Sequence, residues 1–145
     1  MPSAMLDPRT KRLLKETVAL LPPDPKPLVL AFYDRLFELA PETRPMFPDN
    51  LERQAQKLTE MLVWIVEHLD KPDELLAELH QLGARHAGYG VQVDHYGNVG
   101  SALIWMFRQG LGDRFTNQME EAWFGTYAFM SGEMERGQFS AASAK

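Results

Sequence analysis

The residues best suited to metal chemistry are the histidines, because the chain contains no cysteine. The absence of thiols excludes disulfides, thiolate nucleophiles, zinc ribbons and iron–sulfur clusters. A neutral imidazole can ligate a transition metal, and it can also act as an acid or base near neutral pH. Strong transition-metal ligation is therefore limited to four side chains, which are His68, His80, His86 and His95.

His86 continues an apolar helical stripe, which we call the leucine stripe: Leu75, Leu79 and Leu82. The three leucines precede it by eleven, seven and four positions, so all four side chains share one face of a helix. A polar ring on an apolar face needs a partner, and either a hydrogen-bond acceptor or a metal would serve. His80 lies about 120° away from His86 on the helical wheel. The two histidines therefore cannot hold one metal from the same helix.

The apolar periodicity predicts an all-α protein. Asp7 and Pro8 are typical of a helix start, and Asp94 is expected to cap a later helix. No alternating strand pattern and no hairpin dipeptide is present. The predicted helices cover residues 8–21, 27–40, 51–69, 72–87, 95–110 and 116–136, with a short helical turn at 42–47.

Length and charge restrict the functional class. A chain of 145 residues suits one domain, with a helical core at about 7–137 and a polar tail at 138–145. The net charge of -5, without a Lys/Arg cluster, argues against a nucleic-acid surface. The longest apolar runs are too short to cross a bilayer, and the N-terminus lacks the apolar core of a signal peptide. We expect a cytoplasmic protein with no nucleic-acid or membrane partner.

Several segments, in order along the chain, resemble the globin family. They are FYDRLFELAPETRPMF at 32–47, RHAGYGVQVDHY at 85–96 and AWFGTY at 122–127. The resemblance covers about 7–137 and is strongest to bacterial single-domain globins and the haem domains of flavohaemoglobins. It implies a globin fold, a three-on-three helical sandwich around a haem pocket. It also implies non-covalent haem b as the cofactor.

On the proximal side, the resemblance makes His86 the ligand of the haem iron and Tyr96 the tyrosine of a proximal network. Leu82 and Val91 are the further haem contacts expected on this side. The leucine stripe is expected to form an apolar bed below the porphyrin. A main-chain carbonyl one turn back, near Leu82, is expected to accept a hydrogen bond from the second ring nitrogen of His86.

On the distal side, Tyr33 and Gln54 match the family's polar residues and are expected to donate hydrogen bonds to dioxygen. From the residues alone, Tyr33 is either a core tyrosine or a donor aimed into a pocket. Phe47 and Leu58 match the apolar residues that exclude water. Lys57 is either a partner for a haem propionate or an exposed lysine. Because glutamine stands at position 54 where some globins have histidine, an open or water-occupied distal site is expected.

One position departs from the flavohaemoglobin pattern. Counted from Trp123, the glutamate that joins the proximal histidine and tyrosine falls at Gln138, unless an insertion brings Glu133 or Glu135 into range. A neutral amide cannot draw an imidazole toward imidazolate as a carboxylate does. With Gln138 at this position, strong electron donation from the proximal histidine to the haem iron is therefore not expected.

Three functions remain open at this level. The first is reversible dioxygen binding for transport, storage or scavenging. The second is a nitric oxide dioxygenase, which would need an unidentified reductase because no reductase domain is expected in this chain. The third is a gas or redox sensor module. Dioxygen is the expected ligand, with nitric oxide and carbon monoxide as further gases, and either a monomer or a homodimer fits the sequence.

Overall fold

The computed structural model describes residues 7–87 and 93–143, with side chains for 7–85 and 95–137. All regular elements in these ranges are helices, as predicted. The short 3-10 helices are Pro41–Met46 and Gly112–Arg114, and the second begins at Gly112 with a φ of +55°, which favours glycine. The α-helices are α1 Pro8–Ala19, α2 Lys26–Leu39, α3 Glu52–Glu67, α4 Pro72–Ala87, α5 Val93–Leu111 and α6 Asn117–Ser143.

The helix contacts give two layers. Helices α2, α5 and α6 form one layer, because α5 contacts both of the others, and α1, α3 and α4 pack against this layer, with α1 also contacting α3. The layers meet where α1 and α4 pack on α6 and where α3 packs on α2. The three-on-three arrangement is therefore confirmed. Among the helices described, none is both long and apolar enough to cross a lipid bilayer.

Local sequence explains where the helices start. The Asp7 carboxylate accepts a hydrogen bond from the Arg9 amide at 2.8 Å, and Pro8 occupies the first position of α1, where its missing N–H costs nothing. At the start of α6 the Thr116 hydroxyl accepts a hydrogen bond from the Met119 amide at 3.1 Å. Both contacts satisfy amides that have no partner within the helix.

Two predicted boundaries were wrong. Helix α5 includes Val93, so Asp94 lies inside the helix and not at its cap. Helix α6 continues through Gly137 to Ser143, beyond the end expected at Arg136. Gly137 does not end the helix, because it packs inside α6 against α4.

Helices α4 and α6 make the most extensive contact among the described helices, and two glycines set their separation. A Cβ atom on Gly83 of α4 would overlap the main-chain carbonyl of Met134 on α6. A Cβ atom on Gly137 of α6 would overlap the main-chain carbonyl of His80 on α4. Since main-chain atoms cannot move aside as a flexible side chain can, any larger residue must push the helices apart. We call this region the glycine crossing.

We expect Gly83→Ala to lower the free energy of unfolding by about 2–3 kcal/mol, the usual cost of overpacking a tight contact. Gly125→Ala is the matched control, because it lies in α6 with open space around its Cα and should gain roughly 0.5–1 kcal/mol from helix propensity. Urea unfolding of both variants measures the difference. Equal stability of the two would show that the helices do not depend on this close contact.

Candidate functional site

Tyr33 lies near the centre of α2 inside a group of aromatic rings. Only 3% of the residue is exposed. The Phe32 ring meets it edge-on at 4.9 Å between centroids, and the Phe47 ring meets it edge-on at 5.5 Å. The Phe37 ring lies 6.2 Å away from Tyr33 and 5.6 Å from Phe47. This packing fixes the orientation of the tyrosine ring, because aromatic pairs prefer such edge-to-face contacts.

The Tyr33 hydroxyl donates a hydrogen bond to the main-chain carbonyl of Gln54, at 3.4 Å. This distance is long for an O–H···O bond, so the donor is only weakly engaged. Burial raises the pKa of Tyr33 to about 12, and a hydrogen bond with the Gln54 side chain offsets only part of this effect. At neutral pH the residue is therefore an uncharged donor held against the start of α3.

The structure brings the expected distal residues together. Gln54 and Leu58 lie one turn apart on α3, and both are half-buried. Phe47 is also half-buried, and like Leu58 it packs against the core. Lys57 is exposed on α3. Tyr33, Gln54 and Phe47 therefore share one side of the space between α2 and α3, with Leu58 beside them.

Arg44 holds the corner that carries Phe47, a role that the sequence analysis missed. Its guanidinium donates to the carbonyls of Phe47 at 3.3 Å, Pro48 at 3.1 Å and Asp49 at 3.3 Å. The same group lies 5.0 Å from the centroid of the Phe37 ring. The Arg44 clamp, as we call these contacts, therefore ties the corner to the rings around Tyr33. An arginine in a short polar turn carries no sequence signal that separates it from a solvated one.

Helix α4 carries His86 in its last turn. The His86 ring and Val91 lie outside the described residues, so their predicted roles stay predictions. Of the leucine stripe, Leu75 and Leu79 are fully covered by protein, with exposures of 0% and 2%. These two leucines belong to the core, so the expectation that they form a bed for a porphyrin was wrong. Of the three leucines, only Leu82 is half-buried and has exposed surface that could contact a cofactor.

The other histidines each have a polar partner. His68 Nδ1 lies 2.7 Å from the Trp64 carbonyl. His80 Nε2 lies 2.6 Å from a carboxylate oxygen of Glu133. The buried His95 has its Nε2 3.5 Å from a carboxylate oxygen of Glu42. These contacts give all three rings a structural role, which leaves His86 as the strongest candidate for a metal ligand.

Tyr96 lies in the first turn of α5 and is buried, with 5% exposure. Its carbonyl accepts a 2.6 Å hydrogen bond from the Tyr127 hydroxyl of α6. Burial raises the pKa of Tyr96, and the Glu135 carboxylate raises it further. The pKa of Tyr127 is raised by burial first, then by Tyr96 and Glu135. The carboxylate that acts on both tyrosines is therefore Glu135, while Glu133 is engaged by His80 and the Gln138 side chain lies outside the described residues.

A family model for globins matches residues 30–134. This chain is a globin. Among the curated relatives of this globin, the flavohemoprotein of Bordetella pertussis is 29% identical over 97% of the chain. The match covers 37% of that relative. This globin therefore spans just over a third of the length of that flavohemoprotein.

Solved structures show the same fold. An engineered carbene transferase, described as a candidate nitric oxide dioxygenase from Rhodothermus marinus, is 28% identical with a TM-score of 0.83, over 95% of this globin and 96% of that chain. A flavohemoglobin from Malassezia yamatoensis with bound FAD and haem is 20% identical with a TM-score of 0.75. That match covers 95% of this globin and 38% of the other chain, and at this identity it shows the fold alone.

Membership of the globin family implies a haem, and the described residues fit one. The Tyr33 hydroxyl is a buried donor with only a long hydrogen bond, which suits a further acceptor. Phe47, Leu58 and Leu82 are apolar and only half-buried, so they have surface left to cover a flat apolar group. Without cysteine, attachment through thioether bonds is excluded.

The buried Tyr33 phenol makes stability depend on alkaline pH. Its folded-state pKa of about 12 lies above the ordinary value of 10, so the unfolded chain ionises first and stability falls as the pH rises from 10 to 12. From about pH 9 to about pH 11, wild-type protein should lose about 1 kcal/mol more stability than Tyr33→Phe. Urea unfolding at both pH values measures this loss. An identical loss in the two proteins would contradict the raised pKa.

Proposed function

We propose that this globin binds haem b non-covalently through His86 and binds dioxygen reversibly beside Tyr33. The observation that carries the proposal is the Tyr33 hydroxyl, which is buried, uncharged and only weakly engaged by the Gln54 carbonyl. When bound, the haem supplies an iron atom at which a small gas can be held. A donor fixed beside that atom favours a gas that accepts a hydrogen bond, and dioxygen does so better than carbon monoxide.

The distal residues act by donating hydrogen bonds and excluding water. Tyr33 would donate a hydrogen bond to the gas in place of its long bond to the Gln54 carbonyl, and the Gln54 side-chain amide would be the second donor. Phe47 and Leu58 keep bulk water away, which strengthens a hydrogen bond in this region. The Arg44 clamp keeps Phe47 against the Tyr33 ring, so the donor has little freedom to turn away.

The proximal residues hold the cofactor. His86 is the proposed iron ligand, because the other three histidines are engaged by a carbonyl or carboxylate. Leu82, Val91 and Tyr96 are the proposed contacts on this side of the haem, and Lys57 is the proposed partner of a propionate. Glu135 adds negative charge near Tyr96. Glu135 thus supplies a carboxylate on the proximal side, one turn before position 138, where the family pattern predicts one.

The first experiment is an absorption spectrum after hemin is added to the purified protein. Wild-type protein should show a strong Soret band and, after reduction without added gas, a five-coordinate spectrum that changes when carbon monoxide is added. His86→Ala should lose this five-coordinate spectrum and recover it with added imidazole, which replaces the missing ligand. His68→Ala is the control and should behave as wild type. A Soret band and ferrous spectrum unchanged in His86→Ala would disprove the assignment.

Tyr33→Phe tests the distal donor. The loss of one hydrogen bond to an acceptor with partial charge costs about 1.5–3 kcal/mol, so dioxygen should dissociate roughly 10- to 100-fold faster. Stopped-flow displacement of dioxygen by carbon monoxide measures the rate. Asp34→Asn, an exposed neighbour on the same helix, is the control. A dissociation rate in Tyr33→Phe equal to that of the control would remove Tyr33 from the proposed role.

Nitric oxide dioxygenation is the second candidate function. It is favoured by the likeness to flavohemoproteins and to a candidate nitric oxide dioxygenase of 28% identity. The reaction joins nitric oxide and dioxygen with one electron to give nitrate, so sustained turnover requires a reductase. The distal residues proposed above would serve both functions. Nitrate production should be measured with and without an added flavin reductase. An enzyme would form nitrate over many turnovers when the reductase is present, whereas without it the protein would form only one equivalent.

A further inference from the structure

Glu133 is a buried carboxylate that the proposed function does not use. It lies on α6 with 8% of the residue exposed. One carboxylate oxygen lies 2.6 Å from His80 Nε2 on α4. The other accepts a hydrogen bond from the Arg136 guanidinium at 3.0 Å. We call these three residues the carboxylate latch.

A carboxylate at this depth is stable only with partners. Its burial removes water from the charge, and this cost is recovered only by close hydrogen bonds to both oxygens. Arg136 comes from the same helix, so it stabilises the charge without joining two elements. His80 is the partner that crosses to α4, 53 positions away in sequence. The contact between His80 and Glu133 therefore connects the two helices directly.

The latch lies at the glycine crossing. The main chain of His80 meets Gly137, while Gly83 meets the main chain of Met134, the residue next to Glu133. The glycines set the distance between the helices. The hydrogen bond from the His80 ring to Glu133 is directional, so it further opposes sliding or rotation of α4 against α6, although 47% of the His80 side chain is exposed. Distance and register are thus set by different contacts at one place.

This register matters because α4 also carries His86. The two histidines are six residues apart on one continuous helix, about 9 Å along its axis. A helix transmits a shift or rotation almost unchanged over such a length. We propose that His80 and Glu133 are positioning residues that fix the placement of His86 relative to the haem, an inference that rests on the proposed function.

The iron–histidine stretching band of the ferrous, gas-free holoprotein reports on this placement, and resonance Raman spectroscopy measures it. In His80→Ala the band should shift to lower frequency and broaden, because a less restrained helix lets the imidazole tilt. His80→Gln should return the band toward the wild-type position, because its amide nitrogen can donate to Glu133 from nearly the same place. Glu133→Gln keeps an acceptor for His80 and should shift the band less than His80→Ala.

Glu78→Ala is the matched control. It removes an ion pair with Arg85 at 3.0 Å that lies on α4 alone and does not reach α6. Its band should stay at the wild-type position, although the helix loses a stabilising contact. A change of stability alone therefore does not produce the expected pattern.

The outcomes separate the two proposals. If wild-type protein takes up hemin and His80→Ala shows an unchanged band, the positioning role is overturned and the proposed function stands. An equal shift in Glu78→Ala, or no recovery in His80→Gln, also overturns the positioning role. If wild-type protein forms no five-coordinate ferrous haem, the proposed function is overturned and this inference with it.

Discussion

The close main-chain contact between α4 and α6 is the constraint on which the rest of the structure depends. Gly83 and Gly137 remove the side chains that would separate the helices, so each helix packs directly on the other's main chain. This contact joins the two layers at the helix that carries His86. No flexible side chain separates the helices at this contact. A substitution that adds even one carbon atom here therefore moves a whole helix and not one side chain.

The two sides of the proposed site are held by different physical means. On the distal side, aromatic rings enclose Tyr33, and Arg44 ties the neighbouring corner to them through three carbonyls. On the proximal side, glycine contacts and the buried Glu133 carboxylate hold α4. Aromatic packing and the Arg44 contacts hold the side chains on the distal side, whereas main-chain contact and a buried charge hold a whole helix on the proximal side.

Sequence reasoning succeeded where the signal is local. The cap at Asp7 and the helical class follow from residue types and periodicity, and the globin fold follows from the family pattern. It failed where the deciding partner is distant in the chain. From the sequence alone, Gly137 indicates the end of a helix, but in the structure it lies within α6 and packs against α4. The bond between His80 and Glu133 joins residues 53 positions apart that belong to no common motif. The leucine stripe has helical spacing, but spacing cannot separate protein contacts from cofactor contacts.

Burial also keeps the Tyr33 phenol in its neutral form. An ionised phenol is an anionic ligand that some haem proteins use to hold their iron. With a pKa of about 12, only about one Tyr33 side chain in 10⁵ is ionised at neutral pH. The aromatic rings that keep water from this hydroxyl thus favour the neutral phenol over its anion. In the proposed function the neutral phenol donates a hydrogen bond to the gas, whereas the anion would bind the iron itself.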